Sequence, residues 1–350
     1  MSDISTGQPE LDRNGAAAPV SDAIAVVVTV RDDRDQLAEL LAALAEQTHP
    51  PDEVVVVDGG STDGTRALLA EARAEGVLPL TIVDAPGANI SAGRNIGVET
   101  TRHDLVALTD AGCRPRPEWL AAIVDALTHA DFVGGTYRVD ARTPFERCLA
   151  VALYPAPEEI GATSAMLALS HRLFGRAFEV ALSTGRSMGF TRAAWEVAGG
   201  FREDLYAGED VNFSSTVVSA GLRTRLVPAA EVAWRPRMTW RANASMYRTY
   251  ARGDVRRGRR GRHFVRALGW ITAPAVAIAG PAPARVLVGA AVAAYVGLPA
   301  ARALKVGLPA REWWRLPLLV AMKDLAQCLG AAEGVGDAVR GRPQPPPHGG

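Results

Sequence analysis

The stretch that decides the fold is residues 107–120, ALTDAGCRPRPEWL, in which a short apolar run stops on Asp110, turns at Gly112 and restarts as a helix. A side chain at the C-terminal end of a strand in an open α/β sheet points into the crevice where such sheets bind ligands. Asp110 is therefore the first candidate functional residue. Pro115 and Pro117 fix φ and cannot continue a strand, while Pro117, Glu118 and Trp119 suit the first turn of a helix. An acid placed here also serves to cap the following helix, so its neighbours have to decide its role.

Towards the N-terminus, residues 23–30 (AIAVVVTV) and 53–58 (EVVVVD) are continuous apolar, β-branched runs, as in strands of a parallel sheet buried on both faces. Between them, Asp33 and Asp35 offer N-cap and first-turn acids to a helix reaching about Glu46. Leu37, Leu40, Leu41 and Leu44 form its apolar stripe, and Pro50 and Pro51 lie beyond its end. The second strand also ends on an acid, Asp58, followed by Gly59 and Gly60, which permit close approach of backbone to a ligand. A helix to about Glu75, a strand over residues 80–83 and a Gly-rich helix opening at residues 87–97 (GANISAGRNIG) complete a βα repeat. This order predicts an α/β, Rossmann-like nucleotide-binding sheet. The Gly-rich segment is neither G-x-G-x-x-G nor G-x-x-x-x-G-K-[ST], which excludes the dinucleotide and P-loop readings. Its helix N-terminus and Arg94 still suit a diphosphate.

Composition narrows the class. With 350 residues the chain holds one large or two ordinary domains. Its 38 basic and 38 acidic residues give no global charge that would favour nucleic acid. Cys113, Cys148 and Cys328 are widely separated, so neither a zinc site nor a disulfide framework is indicated, and a reducing compartment fits. Residues 1–22 are acidic and Gly/Ala/Pro-rich, without a basic segment leading into an apolar run. They are expected to form a disordered tail and not a signal peptide, with the catalytic part in the cytoplasm.

Residues 27–65 (VVTVRDDRDQLAELLAALAEQTHPPDEVVVVDGGSTDGT), 89–98 (NISAGRNIGV) and 107–120 together resemble the nucleotide-sugar half of a family 2 glycosyltransferase with the GT-A fold. The resemblance implies that Thr29, Arg31 and Asp58 hold the base and ribose of a nucleotide-sugar donor and that Arg94 faces the uridine or phosphate region. It places Asp110 at the D-x-D position that meets ribose and a divalent metal, Mg²⁺ or Mn²⁺. The chain departs from the pattern twice: Gly59 stands where a second acid is common, and the D-x-D position reads Asp110, Ala111, Gly112. One carboxylate suffices for a hard cation that keeps waters and substrate phosphate oxygens.

Residues 131–139 (DFVGGTYRV) read as a further strand, residues 162–180 as a helical region, and residues 185–191 (GRSMGFT) as the approach to a short helix. Gly199, Gly200 and Phe201 then precede Gly208, Glu209 and Asp210 at the start of another helix. Acids there are favoured by the helix dipole alone. A G-G-F loop followed by an E-D pair, however, resembles the acceptor-side motif of the same family, which implies that Asp210 is the general base and Glu209 a neighbour positioning acceptor or base. One base on one face implies a single displacement with inversion at the anomeric carbon; double displacement would need a second carboxylate as nucleophile.

Residues 223–227 and 231–234 read as strands. In the following WRPRMTW, Trp234, Arg235 and Arg237 are candidate contacts to acceptor or diphosphate, and the Q-x-x-R-W motif of processive synthases is absent. Residues 252–266 carry seven arginines against one aspartate, followed by uncharged runs of 18 and 16 residues around Pro281, Pro283 and Arg285. This predicts a basic juxtamembrane segment (241–266) facing anionic lipid and a transmembrane helical hairpin (267–301) entered and left from the cytoplasmic face. A buried hairpin in a soluble domain is the alternative. Residues 308–335, with Trp313, Trp314, Lys323 and Asp324, read as an interfacial amphipathic helix, and residues 336–350 as a disordered tail.

The expected layout is a GT-A catalytic domain over residues 23–240, with donor half 23–130 and acceptor half 131–240, then a C-terminal helical membrane-associated region. The expected function is inverting transfer of a sugar from a nucleotide-diphosphate donor to a hydroxyl of a lipid-linked or glycan acceptor at the cytoplasmic membrane face. The rivals are a polyprenyl-phosphate glycosyltransferase and a non-catalytic nucleotide-sugar-binding or scaffold protein.

Overall fold

The computed structural model describes residues 22–341 apart from 162–163, 175–177 and 259–260. The tail expected at 1–22 and most of that at 336–350 lie outside the described residues. The N-terminal part alternates as expected: β1 (Ile24–Val30), α1 (Arg34–Ala45), β2 (Glu53–Asp58), α2 (Thr65–Glu75), β3 (Leu80–Asp84), α3 (Ile90–Thr100) and β4 (Leu105–Asp110). β1 to β4 are parallel, ordered β3-β2-β1-β4. The unbroken valine runs follow from burial on both faces. Val26 and Val28 pack with Leu37, Leu40 and Leu44 of α1, whereas Val27, Val55 and Val57 pack with Val98 of α3. Each such leucine or valine taken fully from water stabilises the fold by roughly 1.5–3 kcal/mol.

The chain continues through β5 (Cys113–Pro115), α4 (Trp119–Leu127), β6 (Phe132–Val139), α5 (Pro144–Leu153), α6 (Ala165–Phe174), β7 (Met188–Thr191), α7 (Arg192–Ala198), α8 (Glu209–Ser219) and β8 (Thr224–Trp234). These strands extend the sheet as β4-β7-β6-β8-β5, with β7 antiparallel to both β4 and β6. Two readings change here. Residues 188–191, expected as the approach to a helix, form strand β7, because buried Met188 and Phe190 fill the gap between β4 and β6. The two strands expected at 223–227 and 231–234 are one, β8. Its ladder to β6 shifts between Gly134 and Thr136, and the Thr136 hydroxyl donates to the Pro228 carbonyl at 3.0 Å. A bulge lets a strand carry a proline that cannot donate to the ladder.

Four helices close the chain: α9 (Trp240–Arg256), α10 (Gly261–Ala279), α11 (Ala282–Lys305) and α12 (Arg315–Val339). α12 runs on into the stretch expected as a tail. α10 and α11 form the apolar hairpin, turning just before Pro281, the N-cap of α11. Among the described residues α11 alone is long and apolar enough to cross a membrane, with 24 residues, a mean hydropathy of 1.6 and only 6% of its apolar window buried. The apolar part of α10, His263–Ala279, is shorter.

The base of the hairpin is tied to the catalytic body by buried polar groups. Arg302 of α11 donates to the carbonyls of Val151 at 2.6 Å and Tyr154 at 2.9 Å, capping the C-terminal end of α5, and pairs with Glu159 at 2.8 Å. Asp324 of α12 accepts from Trp270 Nε1 at 3.0 Å and Tyr295 Oη at 2.7 Å and pairs with Arg266 at 3.1 Å. Lys323 and Asp324, read as part of the polar side of an interfacial helix, are thus buried in protein, while Leu318, Leu325 and Leu329 lie exposed. The basic segment likewise turns partly inward. Arg257 and His263 pair with Asp254, and Arg252 pairs with Asp337 and Glu333. These side chains find polar partners within the protein.

Candidate active site

Strand register sets the ends of β1 and β4 side by side, with Thr29 opposite Asp110. α3 lies close against β1 because Gly97 has no side chain; a Cβ there would sit 2.4 Å from Val27 Cγ1. This brings Arg94, one turn earlier on α3, to the strand ends, where it is only 1% exposed. Its Nη2 donates to Asp110 Oδ1 at 2.8 Å and its Nη1 to Glu209 Oε1 at 2.7 Å. The guanidinium passes directly against Gly185, where a Cβ would meet Nη2 at 2.0 Å. A charge read as facing a diphosphate therefore bridges the acid at the end of β4 and the acid at the start of α8.

α8 delivers the second pair of acids. Gly208, at φ 76°, precedes Glu209, and the loop before it is pinned from α3. Asn95 Nδ2 donates to the Phe201 carbonyl and its Oδ1 accepts from the Phe201 N–H, both at 2.8 Å; Asn89 Nδ2 donates to the Glu203 carbonyl at 2.6 Å. The Gly-rich segment at residues 87–97 thus also pins the loop before α8. Asp210 Oδ2 accepts from the Gly185 N–H at 3.1 Å and Oδ1 from the Val211 N–H at 2.7 Å.

The two neighbouring acids differ. Burial, reinforced by the charge of Asp210, pushes the Glu209 carboxyl up to about 7 against the pull of Arg94. A carboxyl raised in this way contributes stability that is fully present below its ordinary value of 4.5 and is lost as pH rises through about 7. Glu209→Gln is therefore expected to remove this slope. Urea denaturation from pH 5 to pH 8 checks it, and parallel profiles for the two proteins would contradict it.

Thr29, Arg31, Arg94, Asp110, Glu209, Asp210, Trp234, Arg235 and Arg237 all line one cavity of about 2290 Å³. Asp58 does not line it. Its carboxylate is buried, with Oδ1 accepting from the Gly60 and Ser61 N–H groups and the Ser61 hydroxyl, and Oδ2 from Arg66 Nε at 3.0 Å. Burial works against its charge, yet these bonds hold Asp58 below the usual carboxylate range. It shapes the turn after β2. Arg235 Nε donates to buried Glu146 Oε1 at 3.0 Å, and Arg237 stands exposed. The far end of the cavity reaches the hairpin at Trp270, Pro274, Val288, Val292 and Tyr295. Sequence reasoning missed two residues, Asn95 and Arg186. The first stands beside Arg94 in the G-R-N run; the second is an arginine among the small residues of GRSMG.

A divalent cation would find one carboxylate at the D-x-D position. Asp110 is 31% exposed at its side chain and has one oxygen engaged by Arg94. Among the described residues no cluster of three or more His, Cys, Asp or Glu could hold a metal. This donor set fits Mg²⁺ or Mn²⁺ bound through one carboxylate together with substrate phosphates and water.

Residues 25–166 match the family model "Glycosyl transferase family 2". The chain is 32% identical over 117 residues to Glycosyltransferase AglE of Haloferax volcanii, covering 32% of this chain and 38% of that protein. It is 30% identical over 126 residues to an undecaprenyl-phosphate 4-deoxy-4-formamido-L-arabinose transferase of Pseudomonas fluorescens, covering 33% of this chain and 35% of that protein. The chain thus spans less than two fifths of the length of either relative. Among solved structures, the mannosyltransferase PcManGT of Pyrobaculum calidifontis, in complex with GDP-Man and Mn²⁺, superposes with a TM-score of 0.61 at 19% identity, over 90% of this chain and 87% of that one. The likeness shows that the two share the GT-A fold.

Proposed function

We propose that this chain, whose residues 25–166 match the glycosyl transferase family 2 model, carries out inverting transfer of a sugar from a nucleotide-diphosphate donor to a hydroxyl of a lipid-linked or glycan acceptor at the cytoplasmic face of a membrane. One observation carries the reading: Asp110, on the donor strand, and Asp210, on the acceptor-side helix, line one cavity that continues to the apolar hairpin. The acceptor oxygen attacks the anomeric carbon as its proton passes to Asp210, and the bond to the diphosphate breaks with its electron pair leaving on phosphate. Thr29 and Arg31 flank the nucleotide, and Arg94 holds Asp110 and Glu209 in register. A divalent cation held by Asp110 would supply positive charge to the leaving diphosphate. α11 and the exposed apolar side chains of α10 and α12 support membrane attachment.

The test is calorimetric titration of the full chain with UDP, GDP and TDP, each with and without Mn²⁺, repeated on Asp110→Ala. Metal-dependent binding of one nucleotide, lost in the variant, is the expected result. No binding of any of the three would sink the reading and favour a scaffold role. Transfer to a polyprenyl phosphate is the second reading, favoured by the apolar continuation of the cavity along α10 and α11. Such an acceptor is already an anion and has no need of Asp210 as base.

A further inference from the structure

Four of the arginines around the cavity are held by carboxylates, and one deep-lying arginine is not. Arg94 is held by Asp110 and Glu209, Arg235 by Glu146, Arg257 by Asp254 and Arg266 by Asp324. Arg186, which also lines the cavity, has no carboxylate within ion-pair distance among the described residues. Its guanidinium carbon lies 4.0 Å from the centroid of the Trp234 ring and 4.7 Å from that of Tyr137, and its Nε is buried with no hydrogen-bond partner. Ring faces attract a guanidinium but leave its planar fork of donors free for an oxyanion.

The backbone places this cation between the reacting groups. The Arg186 carbonyl accepts from Thr109 Oγ1 at 2.8 Å, next to Asp110, and the preceding residue, Gly185, donates its N–H to Asp210. The charge of Asp110 reaches Arg186 through space, but its ion pair is made with Arg94. Arg94 shares the unmet Nε but has two carboxylates on its other nitrogens; Arg186 has the unmet donor and no carboxylate, which sets it apart beside the cavity.

We propose that Arg186 binds a phosphate group between Asp110 and Asp210, drawn from the donor diphosphate or from a lipid-linked phosphate of the acceptor. The proposal rests on the glycosyltransferase reading. The full chain in detergent, with Arg186→Met and Arg186→Lys, is titrated with UDP and GDP against uridine and guanosine, and with farnesyl phosphate against farnesol. Arg186→Met is expected to weaken one phosphate-bearing probe roughly 10- to 100-fold, the size of a hydrogen bond to a charged group, without changing its phosphate-free counterpart. Arg186→Lys recovers part of the loss. A selective loss for UDP or GDP assigns the donor phosphate; one for farnesyl phosphate assigns the acceptor. Unchanged binding of every probe, or equal loss of a probe and its phosphate-free counterpart, overturns the proposal and leaves the glycosyltransferase reading standing. If the native chain binds none of the phosphate-bearing probes, that reading fails and this one with it.

Discussion

Replacing Asp210 with Asn is expected to lower kcat by ~10²- to 10⁴-fold, the usual worth of a positioned base, while nucleotide affinity stays unchanged. Both Asp210 oxygens accept a backbone N–H and an asparagine keeps one such acceptor; with it on the Gly185 N–H, 3.1 Å away in the native chain, the loop before β7 keeps its anchor while the Val211 N–H loses its partner, and unchanged nucleotide affinity then separates loss of proton transfer from collapse of the site. Glu209 is a poor substitute. It is buried, bonded to Arg94 at 2.7 Å and held at about 7, so much of it carries a proton at neutral pH. Steady-state rates of nucleotide release, with binding followed separately by calorimetry, check the expectation. Near-native turnover in Asp210→Asn would exclude base catalysis and move the polyprenyl-phosphate reading to the front.

The donor half was legible because its strands are buried on both faces. Residues 24–30 and 53–58 have no polar alternation to misread, and each fixes its own strand without help from distant residues. The mixed part of the sheet was less open to reading. β7 has four residues and owes its place to β4 and β6, partners more than fifty residues away; β5 has three, ends on Pro115 and, among the described residues, pairs only with β8. The site divides in the same way. Asp110 and Asp210 stand out locally, one at a strand end and one at a helix start. The bridge that joins their neighbourhoods, Arg94 to Glu209, spans 115 positions and leaves no local trace. Asp58 has the same signature as Asp110, but the serine three residues on folds back onto its carboxylate, whereas the residue three after Asp110 is Cys113, which has no hydroxyl. In the basic segment, composition alone could not show that Asp254, Asp337 and Glu333 would receive Arg257 and Arg252.

Arg94→Met is expected to destabilise the fold by about 3–5 kcal/mol, because removing one partner of a buried ion pair leaves the other uncompensated. The loss should also depend on pH. Arg94 is the charge that holds the Glu209 carboxyl down against burial and Asp210, so without it Glu209 takes a proton at still higher pH. At pH 6 the carboxyl left behind is largely neutral and the burial cost is relieved; at pH 8 the native protein has Arg94 to offset the ionised form and the variant does not. Denaturant titrations at the two values should therefore show the larger gap at pH 8. Arg94→Lys is not expected to rescue it, since an ammonium gathers its three donors on one nitrogen and cannot span Asp110 and Glu209 from two nitrogens as the guanidinium fork does. Equal losses at pH 6 and pH 8 would mean that Glu209 does not carry the proton, and rescue by lysine would mean that charge alone, and not the two-pronged bridge, holds the donor and acceptor sides together.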